Sequence, residues 1–211
     1  RNNWDQTRAE FSADTFGQQR TFWKNDLHDR CRIDNIRATA KLTVVDGNLA
    51  TSGQFTEGEY IIITSTDETK RVYVLCDSSE SGASATGTVL TAGSDIGIGT
   101  LPAATAALGT CVAVNNNLNT HSQALVLNEI KAAIVHANGH NGKITASADV
   151  SAATGAQIIT LTQATGGTSG NTTITTNISQ ITTTVFNGGH ASTFNSMGTK
   201  IDRHATRGFP Y

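Results

Sequence analysis

Charge is scarce in this chain. Lys, Arg, Asp and Glu make up 15% of its 211 residues, where a soluble domain ordinarily carries about a quarter. Thr, Ser, Asn, Gly and Ala fill the deficit, so the surface is wetted by hydroxyls and amides. That composition suits an extracellular protein better than a cytosolic enzyme. Proline occurs twice, and long periodic segments are few, as in a Thr-rich β protein. The three cysteines, Cys31, Cys76 and Cys111, are odd in number and include no Cys-x-x-Cys, which argues against a disulfide framework. Cys76 and Cys111 fall at strand-like positions. Packing as buried thiols is the favoured reading, and pairing between the two stays open. No apolar run reaches 18 residues, so no spanning helix is expected, and the N-terminus lacks a signal-peptide core. Position 1 is Arg, so the chain is expected to begin inside a longer product, and Gly208 to Tyr211 reads as a stop in mid-chain.

The charge that is present is unevenly spread. Residues 1–41 hold eight Lys/Arg and six Asp/Glu, residues 42–190 hold four against ten, and residues 191–211 hold three against one. An acidic body thus carries two mildly basic ends. Nucleic-acid binding calls for a denser basic patch with stacking aromatics, so no direct nucleic-acid partner is expected.

Thr120 to Asn171 organises the rest. Val126, Ile130, Ala133 and Ala137 recur at helical spacing, with Leu127 and Ile134 beside them, which predicts a helix over 122–138 wide enough to cover a sheet. Thr120 and Gln123 match a capping box. Asn138-Gly139 is expected to end the helix with a left-handed residue. Residues 143–150 and 156–165 read as a strand pair, and Gly166 to Asn171 as a tight hairpin loop. Upstream, 40–46, 59–66, 71–77, 88–91 and 110–114 read as strands. Residues 66–70 form a hairpin turn, 78–87 a Ser/Gly/Ala-rich surface loop, and 93–107 an excursion without clear period. Downstream, 172–179 and 181–186 read as two more strands. One helix needs one sheet face to bury its stripe. The expected class is therefore α+β, a mainly antiparallel β sheet with one amphipathic helix packed on it, plus extended N- and C-terminal arms. The divisions are 1–41 (aromatic, charged docking arm), 42–189 (α+β module) and 190–211 (tail or linker).

The N-terminal arm holds both tryptophans, Trp4 and Trp23, and three of seven phenylalanines, Phe11, Phe16 and Phe22. It is too polar to form its own core. Its aromatics either pack back on the chain's own body or dock on a neighbouring subunit, where Trp and Arg are favoured anchors. With Arg203 and Arg207 of the tail they make up the candidate interface.

No catalytic constellation emerges. Gly166 to Asn171 is not followed by the Lys-Ser/Thr and helix of a phosphate loop. His136 and His140 have the i,i+4 spacing of a metal pair, but Gly139 intervenes and no carboxylate or Cys completes the set. The helix dipole accounts for His136 more simply. Glu57 and Glu59 flank Gly58 at a strand entry. They suit glycoside chemistry only if they face across a cleft, and acids this close on a turn are more simply exposed. No Gly-x-Ser-x-Gly is present. Neither metal nor cofactor is expected.

The segment Leu42 to Gly189 resembles a module of bacteriophage virion structural proteins. The features are the apolar strands Tyr60–Thr66 and Arg71–Asp77, the Ala/Asn-rich helix Gln123–Asn138, and Ala146-Ser147-Ala148 in the strand after it. Then come the Thr-alternating Ile158-Ile159-Thr160-Leu161-Thr162, the glycine turn before Asn171, and the closing Phe186-Asn187-Gly188-Gly189. The resemblance implies a building block of the virion, a tail or fibre component or a capsid decoration, fixed by its arms to other virion proteins and to further copies of itself. It brings no catalytic residues. The alternative from another class is a carbohydrate- or host-surface-binding module reading host glycans, with Tyr60, Tyr73 or the 78–99 loop as its surface.

Overall fold

The computed structural model describes residues 32–33, 35–44, 55–118, 123–148, 150, 157–191 and 193–194. The chain divides into two compact units. One is Ile36–Ala191, and the other combines 1–35 with 192–211. In the second, the described part is a two-stranded antiparallel ladder of β1 (Arg32–Ile33) and β11 (Thr193–Phe194), with Arg32 opposite Phe194 and Ile33 opposite Thr193.

The unit Ile36–Ala191 is mostly β-sheet with few helices. Its strands are β2 (Thr39–Val44), β3 (Tyr60–Thr64), β4 (Lys70–Asp77), β5 (Val89–Leu90), β6 (Thr110–Asn116), β7 (Ile144–Ala146), β8 (Gln157–Gln163), β9 (Thr175–Thr176) and β10 (Ile181–Thr183). Among its described residues the α-helices are the single turn α1 (Ala103–Ala106) and α2 (Gln123–Val135). Strand β2 begins at Thr39, inside the segment expected to form the N-terminal arm.

The sequence predicts the helix on one face of a single sheet, but the strands form two. A four-stranded sheet in the order β10-β2-β8-β7 is antiparallel throughout, and a five-stranded sheet runs β5-β6-β4-β3-β9. The expected hairpin of β3 and β4 is present, with Ile61 opposite Tyr73. Strand β6 lies parallel to β4, with Val72 opposite Cys111 and Cys76 opposite Asn115. A parallel pair needs a long crossover, and residues 78–109 provide it.

One core cluster joins the sheets. It takes Leu42 and Val44 from β2, Ile61 and Ile63 from β3, Tyr73 and Leu75 from β4, and Ile159 and Leu161 from β8. Helix α2 adds Val126, Leu127, Ile130, Ala133 and Ile134, whereas Ala137, the last member of the expected stripe, lies past the end of the helix at Val135 and is exposed. Leu125 and Val135 are exposed on the helix, so its outer side is not wholly polar. A second cluster covers the other face of the five-stranded sheet. There Val72, Val74, Cys76, Cys111 and Ala113 meet Leu90, Ile96 and Leu101 from the crossover.

Cys76 and Cys111 are both buried and free. They sit four register positions apart on neighbouring strands, roughly 13 Å along the strand direction, too far for a disulfide. The loop Gly166 to Asn171 is not a hairpin loop. It carries the chain from β8 in one sheet toward β9 in the other, through a 3-10 turn at Thr168–Gly170. Residues 172–179 and 181–186 likewise contribute short strands to different sheets, β9 pairing with β3 and β10 with β2.

Gln163 fastens the two sheets together. It is wholly buried at the end of β8. Its amide nitrogen donates to the Thr64 carbonyl at 3.1 Å, and its oxygen accepts from the Thr66 backbone N–H at 3.0 Å and the Thr66 hydroxyl at 3.1 Å. Replacing it with leucine keeps the volume but removes these partners, and an orphaned buried polar group costs about 1–3 kcal/mol. The Thr64 carbonyl keeps the Thr172 hydroxyl and the Thr66 hydroxyl keeps the Thr165 carbonyl, so the Thr66 N–H is the group left unpaired. Gln163→Leu is expected to lower unfolding free energy by about 1–3 kcal/mol on that basis, measured by urea titration. A loss no larger than that of a surface substitution would show that the staple is dispensable.

Candidate functional site

The expected interface residues Trp4, Phe11, Phe16, Phe22, Trp23, Arg203 and Arg207 lie outside the described residues, as does Thr120 of the expected capping box. The described groups with functional chemistry gather in three places: the exit of α2, the far end of the parallel strands, and the outer face of the four-stranded sheet.

At the exit of α2, Tyr73 and His140 are both fully buried. The Tyr73 hydroxyl lies 2.5 Å from His140 Nδ1, and His140 Nε2 lies 3.2 Å from the Thr69 carbonyl. A carbonyl only accepts, so Nε2 carries the proton and Nδ1 accepts from tyrosine. Burial pushes the imidazole's pKa down to about 4, so the ring is neutral near pH 7 and its Nδ1 is free to accept. Burial also raises the Tyr73 hydroxyl far above the ordinary phenol range. The β3–β4 turn closes around this pair. Lys143 Nζ lies 2.6 Å from Asp67 Oδ2 and donates to the Thr69 hydroxyl at 2.6 Å, while the Ser65 hydroxyl donates to Asp67 Oδ1 at 2.5 Å. The Lys143 ammonium, with that hydroxyl, holds the Asp67 carboxyl well below the usual carboxylate range. Both partners of the ion pair are about half exposed, so its own contribution to stability is small. Arg71 Nε donates to the Asn138 carbonyl at 3.1 Å, a cation at the helix's negative end.

The helix ends differently from the sequence expectation. Its last helical residue is Val135, and the left-handed residues are Asn141 (φ 39°) and Gly142 (φ 80°). They form the centre of a turn closed by Lys143 N–H donating to the His140 carbonyl at 2.8 Å. Gly139 is required for another reason: a β-carbon there would collide with the Ala133 carbonyl. His136 lies just past the helix, exposed, and its Nδ1 accepts from the Asn138 N–H. His136 and His140 therefore face different partners. Among the described residues no group of three or more His, Cys, Asp or Glu is placed to hold a metal.

At the far end of the parallel strands, carboxylates fix backbone. Glu57 Oε2 accepts from the Ile98 N–H at 2.7 Å and Asp95 Oδ1 from the Gly97 N–H at 2.9 Å. Buried Asp77 accepts from the Ser79 N–H and hydroxyl and from the Leu118 N–H. Glu59 accepts from the Thr56 N–H, and burial raises its pKa. Glu57 and Glu59 thus lock separate loops, and each carboxylate is engaged with backbone N–H groups. Together these contacts present Ile98 on a braced tip at 78% exposure. Cys76 lies beneath, and burial pushes its thiol up to about 12, so it is unreactive near neutral pH.

The outer face of the four-stranded sheet is coated with threonine. Alternating with core residues, β2 turns out Thr39, Lys41 and Thr43, and β8 turns out Ile158, Thr160 and Thr162. Register places Thr145, Thr162 and Thr39 in one row, and Thr182, Thr43 and Ile158 in another. Of the surface proposed for glycan contact, Tyr73 belongs to the core, because its side chain faces Leu75 and the helix side of the sheet. Tyr60 remains half-buried at a strand end, with its N–H bonded to Asn177 Oδ1. The crossover loop exposes residues 78–82. The threonine rows were legible as alternation. The Tyr73–His140 contact was not, because 67 residues separate the partners.

Comparison with known protein families, with curated proteins and with solved structures finds no match. Among the described residues no helix is long and apolar enough to cross a membrane.

The buried imidazole makes stability depend on pH. In the unfolded chain His140 binds a proton near its ordinary pKa of about 6.5, while in the fold it does so near 4. The stabilisation is present above pH about 6.5 and is lost as pH falls toward 4, because the unfolded state then binds more protons. The loss amounts to about 3 kcal/mol by linkage. Urea titrations across that window are expected to show this slope in the native protein and not in His140→Gln. An equal slope in both would place its origin elsewhere.

Proposed function

We propose that this chain is a non-enzymatic structural component of a bacteriophage particle. It docks onto neighbouring subunits through its terminal arms, either as a tail or fibre anchor or as a capsid decoration. The observation that carries the reading is the ladder of β1 and β11. Arg32 lies opposite Phe194, so the segments 1–31 and 195–211 join the same end of one antiparallel pair. We infer that the segments that carry Trp4, Phe11, Phe16, Phe22 and Trp23 and Arg203 and Arg207, joined to the same end of that ladder, serve as one docking element. The resemblance of Leu42 to Gly189 to virion modules points the same way. In this reading the body is an α+β module with helix α2 laid on its sheets, and the arms are extended. The partners are other virion proteins and further copies of this chain, and the protein works on the extracellular particle.

The threonine rows favour a second reading, a carbohydrate- or host-surface-binding module. A face of regularly spaced hydroxyls with a single cation, Lys41, matches a sugar's hydroxyls better than a charged partner. Glycan binding lost on Thr160→Ala together with Thr162→Ala would support it.

The docking reading is tested by the solution mass of the chain, by light scattering, and by incorporation into particles. Each well-buried tryptophan at such a contact is worth about 2 kcal/mol or more, about thirtyfold in affinity. Trp4→Ala and Trp23→Ala are expected to weaken association or incorporation by that order and to leave the unfolding transition of the body unchanged. A stable trimer would favour a fibre, and a monomer that orders its arms on the particle would favour an anchor or decoration. If either substitution unfolds the body, the arm is core and the docking reading fails.

A further inference from the structure

The chain holds three Asn-Gly pairs, at 138–139, 141–142 and 187–188, and the fold treats them differently. Asn138 has its side-chain nitrogen committed to the Gly87 carbonyl at 2.9 Å, and Gly139 is packed against the Ala133 carbonyl with its N–H donated to the His136 carbonyl. Asn141 and Gly142 are held in the left-handed turn already described. At Asn187-Gly188 the Gly188 N–H lies 2.6 Å from the Oδ1 of the preceding asparagine. Asn187 and Gly188 are both exposed, Gly188 has φ 83°, and a β-carbon there would meet nothing within 4 Å. Asn141 and Gly142 share the exposure, the positive φ and the open space, so the Gly188 N–H contact is what sets 187–188 apart. The attacking nitrogen, the acceptor carbonyl and room for a ring are thus together at one place.

We propose that Asn187 is a self-modification site, at which the Gly188 backbone nitrogen converts the asparagine to aspartate or isoaspartate. The Gly188 nitrogen adds to Asn187 Cγ as its proton passes to water. The C–N bond to the side-chain amide breaks, and ammonia leaves, which closes a five-membered succinimide. Water then adds to one of the two ring carbonyls. Opening at one side gives an ordinary aspartyl residue in place of the asparagine, and opening at the other gives the isoaspartyl link. The net change is one water consumed and one ammonia released, with no oxidant and no cofactor. Held contact between the reacting groups is what accelerates such a step, and of the three pairs 187–188 has the amide nitrogen resting on its own side-chain carbonyl.

The site matters to the fold. Asn187 exchanges both backbone hydrogen bonds with Thr39, each at 3.0 Å, and its neighbour Gly189 is clasped by Asn171 through two more. An isoaspartyl link inserts a methylene into the main chain between these two anchors, which breaks the register at the start of β2. The aspartyl form adds a charge and keeps the register. The modification therefore produces two species of different stability from one chain.

The test is to age the full chain in mildly alkaline buffer and to map the products by peptide mass spectrometry with an isoaspartate-specific methyltransferase. Conversion is expected first at 187, ahead of 141 and 138, with an acidic charge variant that Asn187→Gln removes. Ageing the chain in urea is expected to erase the ranking of the three sites. Earlier conversion at 138 or 141, or a rate at 187 no faster in the fold than in urea, would overturn the proposal. The ranking is read on the native chain, so it stands even if the glutamine variant folds poorly.

Discussion

Strand β4 is buried on both faces, and the unit around it is arranged to make that possible. From Val72 to Cys76 every residue is inaccessible to solvent. Tyr73 and Leu75 face the core shared with α2 and the four-stranded sheet, and Val72, Val74 and Cys76 face the second cluster. A strand in this position reads as a continuous apolar run, without alternation, which is what Val72-Tyr73-Val74-Leu75-Cys76 is. Its two neighbours differ in kind. Strand β3 is joined to it by a tight turn, whereas β6 lies parallel. The parallel partner forces a crossover, and the crossover brings Leu90, Ile96 and Leu101 to cover the face that would otherwise be wet. The carboxylates of Glu57, Asp77 and Asp95 are then best understood as the fasteners of that cover. It is poor in regular structure and must pair its N–H groups with something.

The other end of β4 solves a different problem. Tyr73 lies in the core and carries a hydroxyl, and a buried hydroxyl without a partner is costly. His140 meets it, and the imidazole's second nitrogen meets the Thr69 carbonyl at the β3–β4 turn. One ring thus ties the sheet, the turn and the exit of α2 together. The Lys143–Asp67 pair, being half exposed, adds mainly orientation. Gln163 does for the two sheets what His140 does for helix and turn. The body is therefore held by apolar burial in bulk and by two buried polar side chains at its joints. Buried polar groups that are fully satisfied specify a unique arrangement where apolar packing alone tolerates several.

Much of this was legible in the sequence as elements and little of it as connections. The α2 stripe is visible because Val126, Ile130 and Ala133 recur at the helix period, and β8 because Ile159 and Leu161 alternate with Thr160 and Thr162. The β3–β4 hairpin is visible because its turn is short. The assignment of strands to two sheets is not visible, since β9 and β10 each pair with a partner more than a hundred residues upstream and no local signal marks that choice. The parallel pairing of β6 also escapes a local reading, and with it the separation of Cys76 from Cys111. The sequence predicts Gly139 at the helix end for its left-handed freedom. It is there because the Ala133 carbonyl comes too close for a β-carbon. Local chemistry named the residue, and only the packing gives the reason. For the candidate site, the aromatic and basic residues of the arms stand out by composition, but they lie outside the described residues. The threonine rows were legible by alternation.

The arrangement of the ends bears on what such a body is for. Arms that left from opposite ends would let one copy bridge two neighbours. The β1–β11 ladder instead joins both to one place, which suits attachment to a single neighbouring surface. The charge distribution agrees. The ends are mildly basic, and residues 42–190 hold ten acids against four bases. An acidic partner surface that attracts the arms would repel the body, which is the charge pattern the docking proposal calls for. A building block held by paired arms and presenting a hydroxyl-coated face is consistent with both readings of function at once. Under the docking proposal attachment would fall to the ends, and under the glycan-binding proposal a sugar would be met by the threonine face of the four-stranded sheet.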